Sequence, residues 1–398
     1  MSLFTAVQMA PRDPILGLNE TYNADANPHK VNLGVGVYFG DDGKIPLLEC
    51  VQRAEKQMME KPMARGYLPI DGIAVYDSAV KSLVFGAESE VVKSGRVATV
   101  QTLGGTGGLK IGADMLKRIN PNATVLISDP SWENHLALFT QAGFNVETYP
   151  YFDAAAGGVN FEGMLAKLKA SPEGTIVVLH ACCHNPTGYD ITGEQWDQVI
   201  EVLKANKLTP FLDLAYQGFG YGITEDGQAV GKCVAAGLDF FVSTSFSKSF
   251  SLYGERVGAL SVVCESKEEA ARVLSQLKIM IRTNYSNPPI HGGMICATVL
   301  NTPELRALWE KELGDMRARI KQMRIALVEK LKGAGITRDM SFVTRQIGMF
   351  SYSGLTKDQM VRLRSEFGVY GTDSGRMCVA ALNTKNIDYV CASIAKVL

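Results

Sequence analysis

The chain has 398 residues, 46% of them hydrophobic, which is more than one hydrophobic core usually supports and predicts two domains. Its 40 Lys and Arg stand against 41 Asp and Glu with neither sign in a long run, which excludes the footprint of a nucleic-acid or acidic-membrane partner. The start has no basic stretch ahead of its short apolar part, and no run approaches ~18 apolar residues, so a soluble cytoplasmic protein is expected.

Eight cysteines with no C-x-x-C pair predict reduced, buried thiols. The tightest cluster of metal-ligand types is His180-Ala-Cys182-Cys183-His184. Strand alternation would send its members to opposite faces, so no metal site is expected there.

In chain order, the residues before Asn32 read as an arm with a short helix over 15–22. Residues 31–38 read as a short strand carrying Gly34 and Gly36, where backbone comes close to a ligand or another strand. It is not a dinucleotide fingerprint, because Phe39 stands at the sixth position. Helices are predicted over 47–61 and 73–85, with Tyr67 on the turn-rich loop between them. The strand 97–103, the glycines 104–108 and a helix over 109–118 form a strand, turn and helix whose free N–H groups and dipole suit an anion. A plain tight βα turn fits the same residues.

Alternating units follow: strands over 123–128, 145–149 and 175–180, helices over 134–142, 161–170 and 194–206. Runs such as Thr-Ile-Val-Val-Leu are apolar on both faces, as in buried parallel strands, which predicts an α/β sheet covered by helices. Trp132, in the loop 129–135, offers a flat surface for stacking and equally fits a core. Asp213 ends an apolar strand, where a carboxylate needs a cation, and no Lys or Arg near it in sequence supplies one. The apolar run 238–242 precedes Ser245-Phe-Ser-Lys248, placing the lysine on an irregular segment at a strand end, where open α/β sheets bind ligands. An S-x-x-K hydrolase lacks its S-D-N and K-T-G companions here. A helix over 267–281 leads to Arg282; a long amphipathic helix opens at Thr302-Pro303 and closes at Gly333. The last sixty-odd residues read as a small α+β unit with Arg376 at a strand start.

A lysine nucleophile, an anion cradle, a buried acid awaiting a cation, tyrosine hydroxyls and two arginines form the set that pyridoxal 5′-phosphate requires. The segments Asn32-Leu-Gly-Val-Gly-Val-Tyr38, Gln101-Thr-Leu-Gly-Gly-Thr-Gly107, Cys182-Cys-His-Asn-Pro-Thr-Gly188, Asp213-Leu-Ala-Tyr216, Ser245-Phe-Ser-Lys248, Arg282-Thr-Asn-Tyr-Ser-Asn-Pro-Pro289 and Ser374-Gly-Arg376 carry a closer likeness. In them the chain resembles the class I pyridoxal-phosphate aminotransferases, the aspartate and aromatic (tyrosine) family.

That resemblance implies the fold type I transferase architecture: a large domain with a mostly parallel seven-stranded sheet, and a smaller α+β domain. The domains expected are an arm and part of the small domain at 1–45, the large cofactor domain at 46–311 and the rest of the small domain at 312–398. It implies a ping-pong transfer by way of a Lys248 aldimine and pyridoxamine phosphate, with the freed lysine moving the proton. Asp213 would pair with the pyridinium nitrogen, Asn185 and Tyr216 with the phenolic oxygen, and Trp132 would stack on the ring. Gly105, Thr106, Ser245 and Arg256 would hold the phosphate, with Tyr67 from a second subunit. Arg376 and Gly36 would take the substrate α-carboxylate, and Arg282 of the second subunit the distal carboxylate. The resemblance thus implies a homodimer with shared sites, acting on amino acids and 2-oxo acids. The wording of segments 128–135, 246–256 and 374–379 is closest to bacterial aromatic-amino-acid aminotransferases, so tyrosine, phenylalanine and aspartate are expected donors to 2-oxoglutarate. A strict aspartate enzyme is the alternative. A decarboxylase or eliminase would share the lysine chemistry but not the two arginine clamps, and no DNA-binding segment supports a regulatory protein.

Overall fold

In a computed structural model, residues 2–398 are described. Two compact units form: Ile45–Lys321 with Arg345–Gly348, and Met1–Lys44 with Gln322–Thr344 and Met349–Leu398. The change of unit falls at 321/322, inside the 31-residue helix Pro303–Gly333, where the sequence reading set its boundary at 311/312.

The larger unit is built on a seven-stranded sheet. In spatial order the strands are Val97–Leu103, Val257–Val263, Phe240–Ser245, Thr209–Leu214, Ile176–His180, Thr124–Asp129 and Asn145–Pro150. All pairings are parallel except those of Val257–Val263, antiparallel to both its neighbours. Ile176, Val177, Phe211, Leu212, Val242 and Leu260 are wholly buried, as the two-sided apolar runs require. Helices cover the sheet, and Thr192 shows how they start: its hydroxyl accepts from Gln195 N–H (3.2 Å) while Gln195 Oε1 accepts from Thr192 N–H (2.8 Å).

Two expectations are corrected. The glycines 104–108 are not a turn ahead of a helix; they are the first turns of the helix Gly104–Ile119, which follows the strand without a spacer. Gly104 takes the reversal with φ +67, and side chains there would collide: a Cβ on Gly108 would lie 2.6 Å from Ser243 Oγ. Of the stretch 31–38 only Val31–Asn32 is strand. Beyond it Asn32 Oδ1 accepts from the N–H groups of Gly34 (3.0 Å) and Val35 (3.4 Å), turning the chain out of strand geometry.

The smaller unit joins short pairs, Val31–Asn32 parallel to Val369–Tyr370 and Phe350–Tyr352 antiparallel to Arg376–Cys378, to helices Leu16–Ala24, Lys357–Phe367 and Ile387–Val397. Among the described residues no helix is long and apolar enough to cross a membrane.

Candidate active site

Three neighbouring parallel strands, Ile176–His180, Thr209–Leu214 and Phe240–Ser245, bring chemistry to one edge. Their register sets His180 beside Asp213 and Asp213 beside Ser243. Lys248 lies three residues past the last strand, in an irregular turn closed by bonds from Phe250 N–H to Phe246 O (3.2 Å) and Ser251 N–H to Lys248 O (3.1 Å). The turn is anchored from below: Trp309 stacks on Phe250 (4.8 Å, 23°) and its indole N–H donates to Ser249 O at 2.7 Å. The ammonium of Lys248 stands 4.8 Å from the centroid of the Tyr216 ring.

Asp213 is 5% exposed. Burial alone would raise its pKa, but the hydrogen bond from His135, with the nearby Lys248, outweighs it and holds the carboxylate below its ordinary value. No Lys or Arg near it in sequence was expected to partner Asp213, and its side-chain partner is a histidine distant in sequence: His135 Nε2 donates to Asp213 Oδ2 at 2.9 Å. A carboxylate only accepts, so the proton sits on Nε2, and Nδ1 faces Ser131 Oγ at 2.9 Å. Sequence reasoning singled out Trp132 in that loop and passed over His135. The available signal was Ser131 and His135, four residues apart where a helix begins and so on one face. Trp132 meets the His135 ring edge-on (5.3 Å, 80°).

His180 stacks obliquely against His135 (5.0 Å) and His184 (4.3 Å), and its two buried ring nitrogens have no hydrogen-bond partner. Burial, with the neighbouring His135, pushes its pKa down to about 3, so it is neutral. The run 180–184 is split in space: His180 groups with His135 and Asp213, Cys182 and Cys183 with Asp226. Asn185, 4% exposed, follows; the Asp190 carboxylate shapes its approach by accepting from Cys183 N–H (2.6 Å) and His184 N–H (2.8 Å).

The second part of the site is the N-terminus of the helix Gly104–Ile119. Gly105 lies against Ser245, a Cβ on it standing 3.0 Å from Ser245 Cβ, and Thr106 sits in the first turn. Arg256 (φ +54) brings its guanidinium onto Gly104, where a Cβ would meet it at 2.4 Å. The partners of that guanidinium are neutral oxygens, Ser247 Oγ (3.3 Å) and Tyr253 O (3.1 Å). A cation fixed on the positive end of a helix dipole is a repulsive pair until an anion joins it.

Four further expected residues lie on other segments of the chain. Tyr67 is 96% exposed, and Arg282, exposed in the last turn of the helix Lys267–Asn284, among the described residues bonds only Ser286 Oγ, on its own segment. Gly36 and Arg376 belong to the smaller unit. There Arg376, 2% exposed, donates to Gly34 O (2.6 Å) and lies 4.3 Å from the Phe350 ring centroid, while a Cβ on Gly36 would meet that ring at 2.7 Å.

An amine, an ionised carboxylate held by a histidine, and a cationic helix N-terminus thus gather at the strand ends of a mostly parallel sheet, and comparison with known proteins assigns the family. Residues 28–394 match the family "Aminotransferase class I and II", and the chain belongs to it. Among curated relatives, an aspartate aminotransferase of Pseudomonas aeruginosa is 63% identical and an aromatic-amino-acid aminotransferase of Escherichia coli 52% identical, each over the whole of both chains. The solved structure of an aromatic-amino-acid aminotransferase from Burkholderia pseudomallei, covalently bound to pyridoxal phosphate, is 65% identical with a TM-score of 0.97, covering both chains completely.

Proposed function

We propose that this aminotransferase moves the amino group of aspartate, tyrosine or phenylalanine to 2-oxoglutarate, in the cytoplasm, as a homodimer with shared sites. The observation that carries the chemistry is Lys248 over the Tyr216 ring, the ionised Asp213 held by His135, and the Arg256 guanidinium at the N-terminus of the helix Gly104–Ile119. The cofactor is pyridoxal 5′-phosphate, and the residues fit it: the repulsive pair of guanidinium and helix dipole suits a phosphate, and the ionised Asp213 suits a protonated ring nitrogen. When bound, it supplies a carbonyl that takes up the amino group and a ring that withdraws electrons from the substrate α-carbon.

Each residue then has a task. Lys248 would attach the cofactor and, once freed, carry the α-proton on its amine. Asp213 would keep the ring nitrogen protonated, with His135 preventing the carboxylate from turning away. Asn185 and Tyr216 would bond the phenolic oxygen and Trp132 would cover a ring face. Gly105, Thr106, Ser245 and Arg256 would grip the phosphate, and Arg376, with Gly36 backbone, would take the α-carboxylate. The full exposure of Tyr67, and the exposure of Arg282, support their serving a neighbouring copy, the one at the phosphate and the other at a distal carboxylate.

Comparing kcat/KM for aspartate, tyrosine and phenylalanine with 2-oxoglutarate tests the substrate range. The dual reading expects less than about a hundredfold discrimination among the three. Preference for aspartate far beyond that would select the strict aspartate enzyme, which the name of the Pseudomonas relative favours. Keto-acid product formed without an acceptor would overturn transamination altogether. Arg282→Ala should cut kcat/KM for aspartate by about 10²–10⁴, the worth of two charge-assisted hydrogen bonds, and leave phenylalanine within about fivefold. Equal losses would show that Arg282 does not read the side-chain carboxylate.

A further inference from the structure

Tyr67 and Arg282 project from separate segments, and both segments are fastened to one buried amide. Gln101 is 1% exposed and stands in the strand Val97–Leu103, an edge of the central sheet paired only with Val257–Val263. An edge strand has backbone groups that no other strand takes up. At Gln101 they are taken up by these two segments: its N–H donates to Asp71 O at 2.8 Å, and its carbonyl accepts from the Tyr285 hydroxyl at 3.5 Å. The side chain repeats the arrangement. Oε1 accepts from Ile73 N–H (3.2 Å), at the end of the Tyr67 loop, and Nε2 donates to Pro289 O (2.8 Å), closing the stretch that follows Arg282.

Glycines admit both segments. A Cβ on Gly72, whose φ is +106, would stand 2.4 Å from Gln101 Cβ, and one on Gly293 would stand 2.5 Å from Nε2. The segments also touch directly, through Asn287 Nδ2 to Leu68 O (3.3 Å) and the Lys278–Asp71 ion pair (3.1 Å). A primary amide offers an acceptor and a donor from one rigid plane, and here each has its matching backbone group. Any change that loses the plane leaves the two segments tied to residue 101 through its backbone alone.

We infer that Gln101 is a positioning residue for the neighbouring subunit's site. It holds Tyr67 and Arg282 in fixed relation, so that cofactor retention and recognition of a side-chain carboxylate in one subunit depend on an amide of the other. This rests on the reading that Tyr67 and Arg282 act across the dimer.

The test uses hybrid dimers purified through two different affinity tags, in which one subunit carries Lys248→Ala and so only the other has a working site. Gln101→Leu placed on the Lys248→Ala subunit should raise KM for aspartate about tenfold and speed release of pyridoxal phosphate from the working site by a similar factor, with KM for phenylalanine little changed. The same substitution on the Lys248-bearing subunit should leave both values at the wild-type level. A general loss of stability would not depend on placement in this way. Gln101→Glu keeps the acceptor for Ile73 but loses the donor to Pro289; on the Lys248→Ala subunit it should raise the aspartate KM while retaining cofactor. It also serves if Gln101→Leu fails to assemble. Arg282→Ala in the same two placements is the control. If its defect follows the Lys248→Ala subunit while that of Gln101 does not, or if Gln101 substitutions have no effect, the positioning role is overturned. If the Arg282 defect follows the Lys248-bearing subunit, the shared-site reading itself falls, and this inference with it.

Discussion

Lys248→Ala should yield a folded protein whose aminotransferase turnover is lower by at least about 10⁴, because in the proposed mechanism one side chain would supply both the covalent anchor and the proton carrier. The fold should survive. The turn around residue 248 is held by its own backbone bonds and by Trp309 against Phe250, none of which uses the lysine side chain. Asp213 keeps its bond from His135, so no buried carboxylate is left unpaired. Pyridoxal phosphate should still be retained by the grip at the N-terminus of the helix Gly104–Ile119. Borohydride treatment followed by mass spectrometry should find no covalent adduct at position 248 or elsewhere in the chain, whereas the wild-type protein is labelled. A stable adduct in the variant would refute the assignment of Lys248.

The lysine was legible because its signals are local: an apolar run, then small hydroxyl residues, then the irregular segment that the structure places past the strand Phe240–Ser245. The sheet was legible for a similar reason, since strands such as Ile176–His180 are apolar on both faces. Val257–Val263 carries the same two-sided apolar signal, and no strand was assigned to it from the sequence. The glycine run was read as a turn and not as helix, because propensity places glycine outside helices; close approach to Ser243 and Ser245 overrides propensity there. Asp213 was legible as a carboxylate needing a cation, and its partner was not, because His135 lies 78 residues earlier and only the sheet order brings it near. Gln101 is the extreme case. Nothing in an edge-strand glutamine announces that two distant segments close on it.

Asp213→Asn is expected to cost about 10³-fold in kcat with nearly unchanged shape. Opposite charges about 4 Å apart at an effective dielectric near 20 attract by about 4 kcal/mol, or roughly three pK units, and that is the support a ring proton loses when the carboxylate becomes an amide. The amide can still accept from His135 through its oxygen. Its nitrogen is a donor, so it favours the unprotonated ring and should do no better than Asp213→Ala. The sign of the stability effect follows from the lowered pKa of Asp213. A carboxyl group more acidic in the folded chain stabilises it above the unfolded pKa, and that contribution fades as pH falls through the folded value. In the cofactor-free protein, Asp213→Asn should therefore lower the melting midpoint at pH 7, and the gap from wild type should narrow as the medium is taken below about pH 4. Single-turnover rates at saturating cofactor, with melting curves at both pH values, measure the two effects separately. Wild-type turnover in the Asn variant would mean that the charge of Asp213, as distinct from its shape, has no part in the chemistry.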